Sequence, residues 1–425
     1  MKSREHLTKT LNHEEAGDVV VDLGSSAVTG IAASTLAKLR KALGLKEKPV
    51  IVHEPYQILG FIDEDTRKIL GIDTASIMPI STFFGYKNEK FKPWVLQDGT
   101  PVLVGEGFVT TVDKDGNTYL YPKGDINTKA SAKMPKGGFY FDSIIRQKPI
   151  DENNLDPRKD FADDFTLFSE EDLKYIEEQT DELYKNTDYG LIGDVFVGSV
   201  GDVAFLPGPS NKDPKGIRDI TEWLISYKIR PGYIKEVFEL HTEVALKNLE
   251  LYRQAVGNKI QVVTISGTDF GTQRGEYISV DMYREFFKPH HKKINDWVHK
   301  NTQWKTFFHC CGSIINLLDD FIDAGVDIIN PVQTSALGMD PKFLKDKYGK
   351  KLVFWGGGVD TQRTLPFGTP EEVRKEVTER LDIFSKGGGY VFTTIHNIQP
   401  NMPVENVLAV FDAIKEYRIN HFGNR

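Results

Sequence analysis

Short apolar runs rich in valine and isoleucine recur along this chain with longer amphipathic stretches between them, and that alternation limits its fold more than any other feature. Candidate strands cover residues 19–22, 195–198, 261–266, 306–309, 327–330, 352–355 and 390–394. Helical patterns fall between them at 314–324, 370–385 and 404–417. In the second of these, Pro370 suits a first helical turn, Glu371 and Glu372 suit the positive end of the helix dipole, and Gly387 follows the stop. Strand alternating with helix implies a parallel sheet joined by right-handed crossovers.

Two architectures satisfy that pattern, a closed α/β barrel and an open doubly wound sheet. The barrel is favoured by some seven units and by what ends each strand. Asp269, His309, Gln333, Asp360 and His396 all fall just after an apolar run, where a barrel collects its active-site residues. An open sheet would carry a glycine-rich phosphate loop early in the chain, and no G-x-G-x-x-G precedes a helix here. Residues 94–125 break the pattern: Asp98-Gly99 and Asp115-Gly116-Asn117 separate Val-rich and Tyr-rich runs, as in antiparallel hairpins. Roughly residues 75–165 are expected to form an insertion or cap on a single domain spanning 1–425.

The chain has 425 residues, 40% hydrophobic and 27% charged, the balance of an ordinary globular protein. A net charge of −8 argues against a nucleic-acid groove, which needs a concentrated basic face. Two adjacent cysteines supply no disulfide framework, the N-terminus lacks an apolar signal core, and no apolar run reaches the roughly 20 residues that span a bilayer. These features point to a cytoplasmic protein without nucleic-acid or membrane partners, and leave a homodimer open.

His309 and Cys311 lie in Thr306-Phe307-Phe308-His309-Cys310-Cys311-Gly312-Ser313. Residues two apart on an extended segment share a face, so an imidazole and a thiolate point together. Zinc favours that pair. Cys310 points the other way and reads as a buried neutral thiol. The alternative reading of His309 and Cys311 is as core residues.

Four stretches carry a resemblance. They are Gly267-Thr268-Asp269-Phe270-Gly271-Thr272-Gln273-Arg274-Gly275 with Ile278-Ser279; His309-Cys310-Cys311-Gly312-Ser313; Asn330-Pro331-Val332-Gln333 with Phe354-Trp355-Gly356-Gly357-Gly358-Val359-Asp360; and His396-Asn397-Ile398-Gln399-Pro400 with Pro403 and Glu405-Asn406. Together with Val21-Asp22-Leu23-Gly24, they make the chain similar to the uroporphyrinogen decarboxylase superfamily, in its corrinoid-dependent methyltransferase branch.

The resemblance implies a TIM (β/α)8 barrel carrying Zn2+, which moves a methyl group to or from a corrinoid (cobalamin) on a partner protein. His309 and Cys311 fall on that family's H-x-C metal motif, and His396 falls where the family's second cysteine stands. The implied metal ligands are therefore His309, Cys311 and His396. Asp269, His309 and Cys311 are the expected catalytic residues, with Gln333, Asp360 and Asn397 expected at the substrate.

A small methylated compound, an O-methyl donor by preference, is the expected substrate. The reverse half-reaction to a thiol or folate is nearly equivalent. The chain contains no cobalamin-binding D-x-H-x-x-G signature, so the corrinoid arrives on another protein. Residues 19–29 contain no arginine, which disfavours a tetra-acid porphyrinogen. Decarboxylation of a smaller acid and a non-catalytic ligand-binding barrel are the rival readings. His53 and Glu54, ahead of Pro55, read as turn residues; His290 and His291, in a Lys-rich helix start, read as solvent-facing.

Overall fold

In a computed structural model that describes residues 2–423, the alternation resolves into eight short parallel strands. They are β1 (Val20–Val21), β2 (Thr74–Ile77), β3 (Gly190–Gly193), β4 (Val262–Ser266), β5 (Lys305–His309), β6 (Ile328–Asn330), β7 (Val353–Trp355) and β8 (Tyr390–Phe392). The sheet runs in the order β1-β8-β7-β6-β5-β4-β3-β2. Its two ends meet where the amide of Asp73 donates to the carbonyl of Val21 (2.8 Å) and the amide of Val21 donates to Asp73 Oδ2 (3.0 Å). Thr74 Oγ1 donates to Asp22 across the same seam at 2.6 Å, and Trp355 Nε1 of β7 donates to it at 2.8 Å. The fold is thus the expected α/β barrel of the TIM type.

Val20, Ile192, Val262, Phe307, Ile328, Val353 and Val391 fill the barrel interior. Leu7 and Leu11 of the N-terminal helix Ser3–Leu11 pack onto them from the end at which the strands begin. That helix was not anticipated, because its two apolar anchors are diluted by polar neighbours. The opposite strand faces pack against the surrounding helices in one larger core. Among the described residues, no helix is long and apolar enough to cross a membrane.

Several sequence expectations need correction. Residues 195–198 are not a strand: β3 ends at Gly193, and the amides of Val195 and Phe196 then donate to Thr264 Oγ1, which turns the chain away. The helix expected at 314–324 shortens to Leu318–Asp323, since the preceding residues are held as a loop, with Asn316 bonded to Glu276. Within the segment 75–165, residues 75–77 belong to β2, and antiparallel strands run from Lys92–Val95 to Asp142–Ser143. Thr74-Ala75-Ser76-Ile77 is too polar to announce a barrel strand from its sequence.

His290 and His291 do not face solvent as a pair. In the helix Lys288–Asn301, the residues His291, Ile294, Asn295 and Val298 fall at helical spacing on the buried face. His291 Nδ1 meets the Tyr283 hydroxyl at 3.1 Å, and His290 Nδ1 meets Thr242 Oγ1 at 2.8 Å.

Burial pushes the His291 pKa down from its usual 6.5 to about 3. The unfolded chain therefore binds a proton between pH 6.5 and 3 that the folded chain does not. The stability owed to a neutral His291 is present in full above pH 6.5 and is lost as pH falls, by at most about 1.4 kcal/mol per pH unit. The stability gap between wild type and His291→Phe should accordingly shrink as pH is lowered from 6.5 to 4 in urea denaturation.

Candidate active site

The C-terminal ends of β5 and β8 bring three donor atoms together. His309 closes β5, Cys311 follows two residues on, and His396 lies just past β8; their ligand atoms all lie within 4.8 Å of one another. His309 and Phe307 alternate onto the inward face, whereas Phe308 and Cys310 join the outer core. Cys310 is buried, and its sulfur accepts the amide of Phe270 at 3.2 Å, as its opposite orientation requires.

The tautomer of His309 is set by its neighbour in register. His309 pairs with Asn330 of β6, and the Asn330 side-chain amine donates to the Trp355 carbonyl at 2.8 Å. That leaves Asn330 Oδ1 as acceptor for His309 Nδ1–H at 2.5 Å. The Nε2 lone pair then points at Cys311 Sγ, 3.2 Å away. Burial lowers the pKa of His309 to about 4, so the ring is neutral and available as a ligand.

His396 is less settled. Its pKa is also lowered to about 4, by burial and by the nearby His309 ring. Its Nδ1 accepts the amide of Asn397 at 2.8 Å. A metal taken at Nδ1 would displace that hydrogen bond, and one taken at Nε2 would need the other tautomer. Its backbone sits at φ 68°, a conformation unfavourable for a side-chain-bearing residue.

Burial and the adjacent Asp269 push the Cys311 thiol up, so it keeps its proton unless a cation compensates. Asp269 Oδ1 accepts the Cys311 amide at 2.5 Å and lies 3.8 Å from His309 Nε2. Two neutral imidazoles and one sulfur, gathered at this separation, suit a borderline-soft dication such as Zn2+, with one position left open.

The three residues expected at the substrate bond to the surrounding backbone. Gln333 Oε1 accepts the Gly312 amide at 2.8 Å and so braces the loop after β5. Asp360 Oδ1 accepts the Gln362 amide at 2.7 Å, closing its own turn. Asn397 Oδ1 accepts the Gly30 amide at 2.5 Å, while its amine donates to the Ala27 carbonyl (2.9 Å) and to Gln57 Oε1 (2.8 Å). All three hold the scaffold around the site.

Other groups here escaped the sequence. Asp202 is pushed up to about 8 by burial and faces the side of Asp269. A cavity of about 610 Å³ opens among β1, β2 and β3, lined by His53, Glu54, Arg67, Ser76 and Asp194. Only the His53-Glu54 pair offered any signal, and its proximity to Pro55 gave it a turn-like appearance.

Comparison with known proteins adds a family context. The family model described as uroporphyrinogen decarboxylase (URO-D) matches residues 207–417. A uroporphyrinogen decarboxylase of Psychromonas ingrahamii is 32% identical over 99 residues, 23% of this chain and 26% of that protein. One of Pseudoalteromonas translucida is 29% identical over 96 residues, 22% of this chain and 26% of that protein. The matched segment thus spans about a quarter of these curated relatives. Among solved structures, a methyltransferase from Methanosarcina mazei superposes with a TM-score of 0.56 over 98% of this chain and 99% of that one, at 16% identity. That likeness is one of fold.

The Asn397 side chain satisfies two buried backbone groups on the loop after β1. Asn397→Ala should therefore lower stability by about 2–3 kcal/mol in chemical denaturation, since both groups lose their partner without gaining water.

Proposed function

The chain belongs to the uroporphyrinogen decarboxylase superfamily, and on that premise we propose that it is a zinc-dependent methyltransferase. It takes a methyl group from a small O-methyl compound and delivers it to the cobalt of a corrinoid on a separate protein. The observation that carries this reading is the convergence of His309, Cys311 and His396 at the mouth of the barrel. The methyltransferase title of the Methanosarcina mazei structure supports it.

Zinc held by these residues supplies Lewis-acid polarisation of the donor's heteroatom. The chain does the rest. Asn330 keeps the His309 proton on Nδ1 and so presents Nε2. Cys311 gives up its thiol proton when the cation binds, and Asp269 fixes the loop that carries Cys311. Gln333 holds the next turn of that loop through Gly312. A corrinoid on a partner protein would supply the methyl acceptor, and the chain's part would be alignment, with the loop carrying Cys311 and Asp269 fixing the donor's orientation toward it. The antiparallel strands between Lys92 and Ser143 would form the rim against which the corrinoid protein docks.

Decarboxylation of a small acid is the second reading, favoured by the names of the curated relatives. It would have to proceed without arginines in residues 19–29.

The purified protein is expected to hold one zinc per chain by elemental analysis, and His309→Ala and Cys311→Ser to hold almost none. His396→Ala should retain zinc with about tenfold weaker affinity, because its ring must give up a hydrogen bond to bind. With cob(I)alamin and a methoxyarene, the wild type should produce the absorption spectrum of methylcobalamin. A metal-free protein, or a loaded one that yields no methylcobalt signal with any methyl donor, ends this reading.

A further inference from the structure

The cavity among β1, β2 and β3 is separate from the three donor atoms yet shares a wall with them. Ala27, which lines it, donates its amide to Asp194 Oδ2 (3.0 Å) and accepts from Asn397, the residue beside His396. Its polar lining divides into two groups. The charged members are already engaged. Glu54 accepts the amides of Tyr56 (2.8 Å) and Gln57 (2.7 Å), and Asp194 accepts Ser26 Oγ (2.7 Å) as well as Ala27. Arg67 donates to the carbonyls of Thr74 and Ile62.

Three buried polar atoms on the wall have no partner at all: Nδ1 and Nε2 of His53, and Oγ of Ser76. His53 is 8% exposed, and burial holds its ring neutral. A buried hydrogen-bonding group left without a partner costs about 1–3 kcal/mol, so such groups on a cavity wall mark a ligand's contacts. The remaining wall is aromatic, from Phe61, Phe83, Phe91, Phe196 and Phe205. Phe61, Phe91 and Phe205 are 47%, 40% and 44% exposed, unusual for side chains of this size unless something covers them.

We infer that this cavity binds a neutral, oxygen-bearing aromatic ring held by His53 and Ser76, at a place apart from the three donor atoms. Neutral imidazole offers one donor and one acceptor, and a hydroxyl offers both, which matches an ether or phenolic oxygen. Burial pushes Glu54 up to about 7 and Asp194 up to about 6, which weakens the counter-charge they offer a cation, and Arg67 is committed to two backbone carbonyls instead of being free for an anion. The walls suit a flat ring through edge and face contacts. The pocket's preference for such a ring stands apart from the methyl-transfer reading.

Isothermal titration calorimetry on the full-length, zinc-loaded protein tests this with four probes: 2-methoxyphenol, methoxybenzene, benzoate and benzyltrimethylammonium. Binding of 2-methoxyphenol is expected to be the tightest, with benzoate and benzyltrimethylammonium at least tenfold weaker. His53→Leu and Ser76→Ala should each weaken 2-methoxyphenol by about three- to tenfold. Thermal denaturation establishes that each variant is folded, and Ser76→Ala, the smaller change, carries the test if His53→Leu is not. A charged probe that binds as tightly as 2-methoxyphenol, no binding by any probe, or binding unchanged in the folded variants overturns the inference. If 2-methoxyphenol binds through His53 and Ser76 but no methylcobalamin forms from any donor, the pocket stands and the methyl-transfer reading falls.

Discussion

Closure of the sheet between β1 and β2 is the constraint on which the rest of the molecule hangs. The strands there are short, and β1 is only Val20–Val21, so a ladder of backbone bonds cannot hold the seam by itself. Side chains take over. Asp73 receives the Val21 amide and the guanidinium of Arg418 (2.5 Å), which also reaches the carbonyls of Val19 (2.6 Å) and Gly71 (2.9 Å). Asp22 ties Thr74 to Trp355 from inside. A half-buried cation with that many oxygen partners, Asp18 among them, is position-specific because each bond fixes its planar guanidinium in one orientation. With the seam fixed, the far ends of β1 and β8 converge, and Asn397 can bridge them.

Around the mouth, polar side chains sort by how much of their bonding capacity is already in use. Gln333, Asp360 and Asn397 are engaged with backbone amides, and turning any of them toward a ligand would strand those amides. His309 gives one nitrogen to Asn330 and meets only the weakly bonding Cys311 sulfur with the other, and His53 is bonded on neither. The groups with spare capacity are the ones that can recognise something.

The barrel and its donor trio were legible in the sequence for physical reasons. Buried parallel strands read as continuous Val- and Ile-rich runs, and residues two apart on β5 must share a face. Three strand ends with amide or carboxylate side chains looked like substrate contacts; only the three-dimensional packing reveals the backbone groups they hold. β2 was invisible because Thr74 and Ser76 bond to, or open onto, the interior instead of packing there. The pairing of His53 with Ser76 around one cavity depends on a hairpin and a barrel strand distant in the chain, a relation no local pattern encodes. His291 was misjudged because its lysine neighbours dominate the reading of a helix whose other face is apolar.

His396 stands on backbone twisted into the left-handed region, clamped by Thr394 Oγ1 bonding to its own carbonyl at 2.6 Å. Glycine would occupy that position with less backbone strain, but it would forfeit the bond from the Asn397 amide and the edge contact with the His309 ring. An imidazole stands there against the preference of its own main chain, which on the proposed metal-binding reading is the cost of placing a third ligand. Selection for thermal robustness alone would erode it first, so heat-hardened descendants of this protein would be expected to trade away chemistry at this corner before any other.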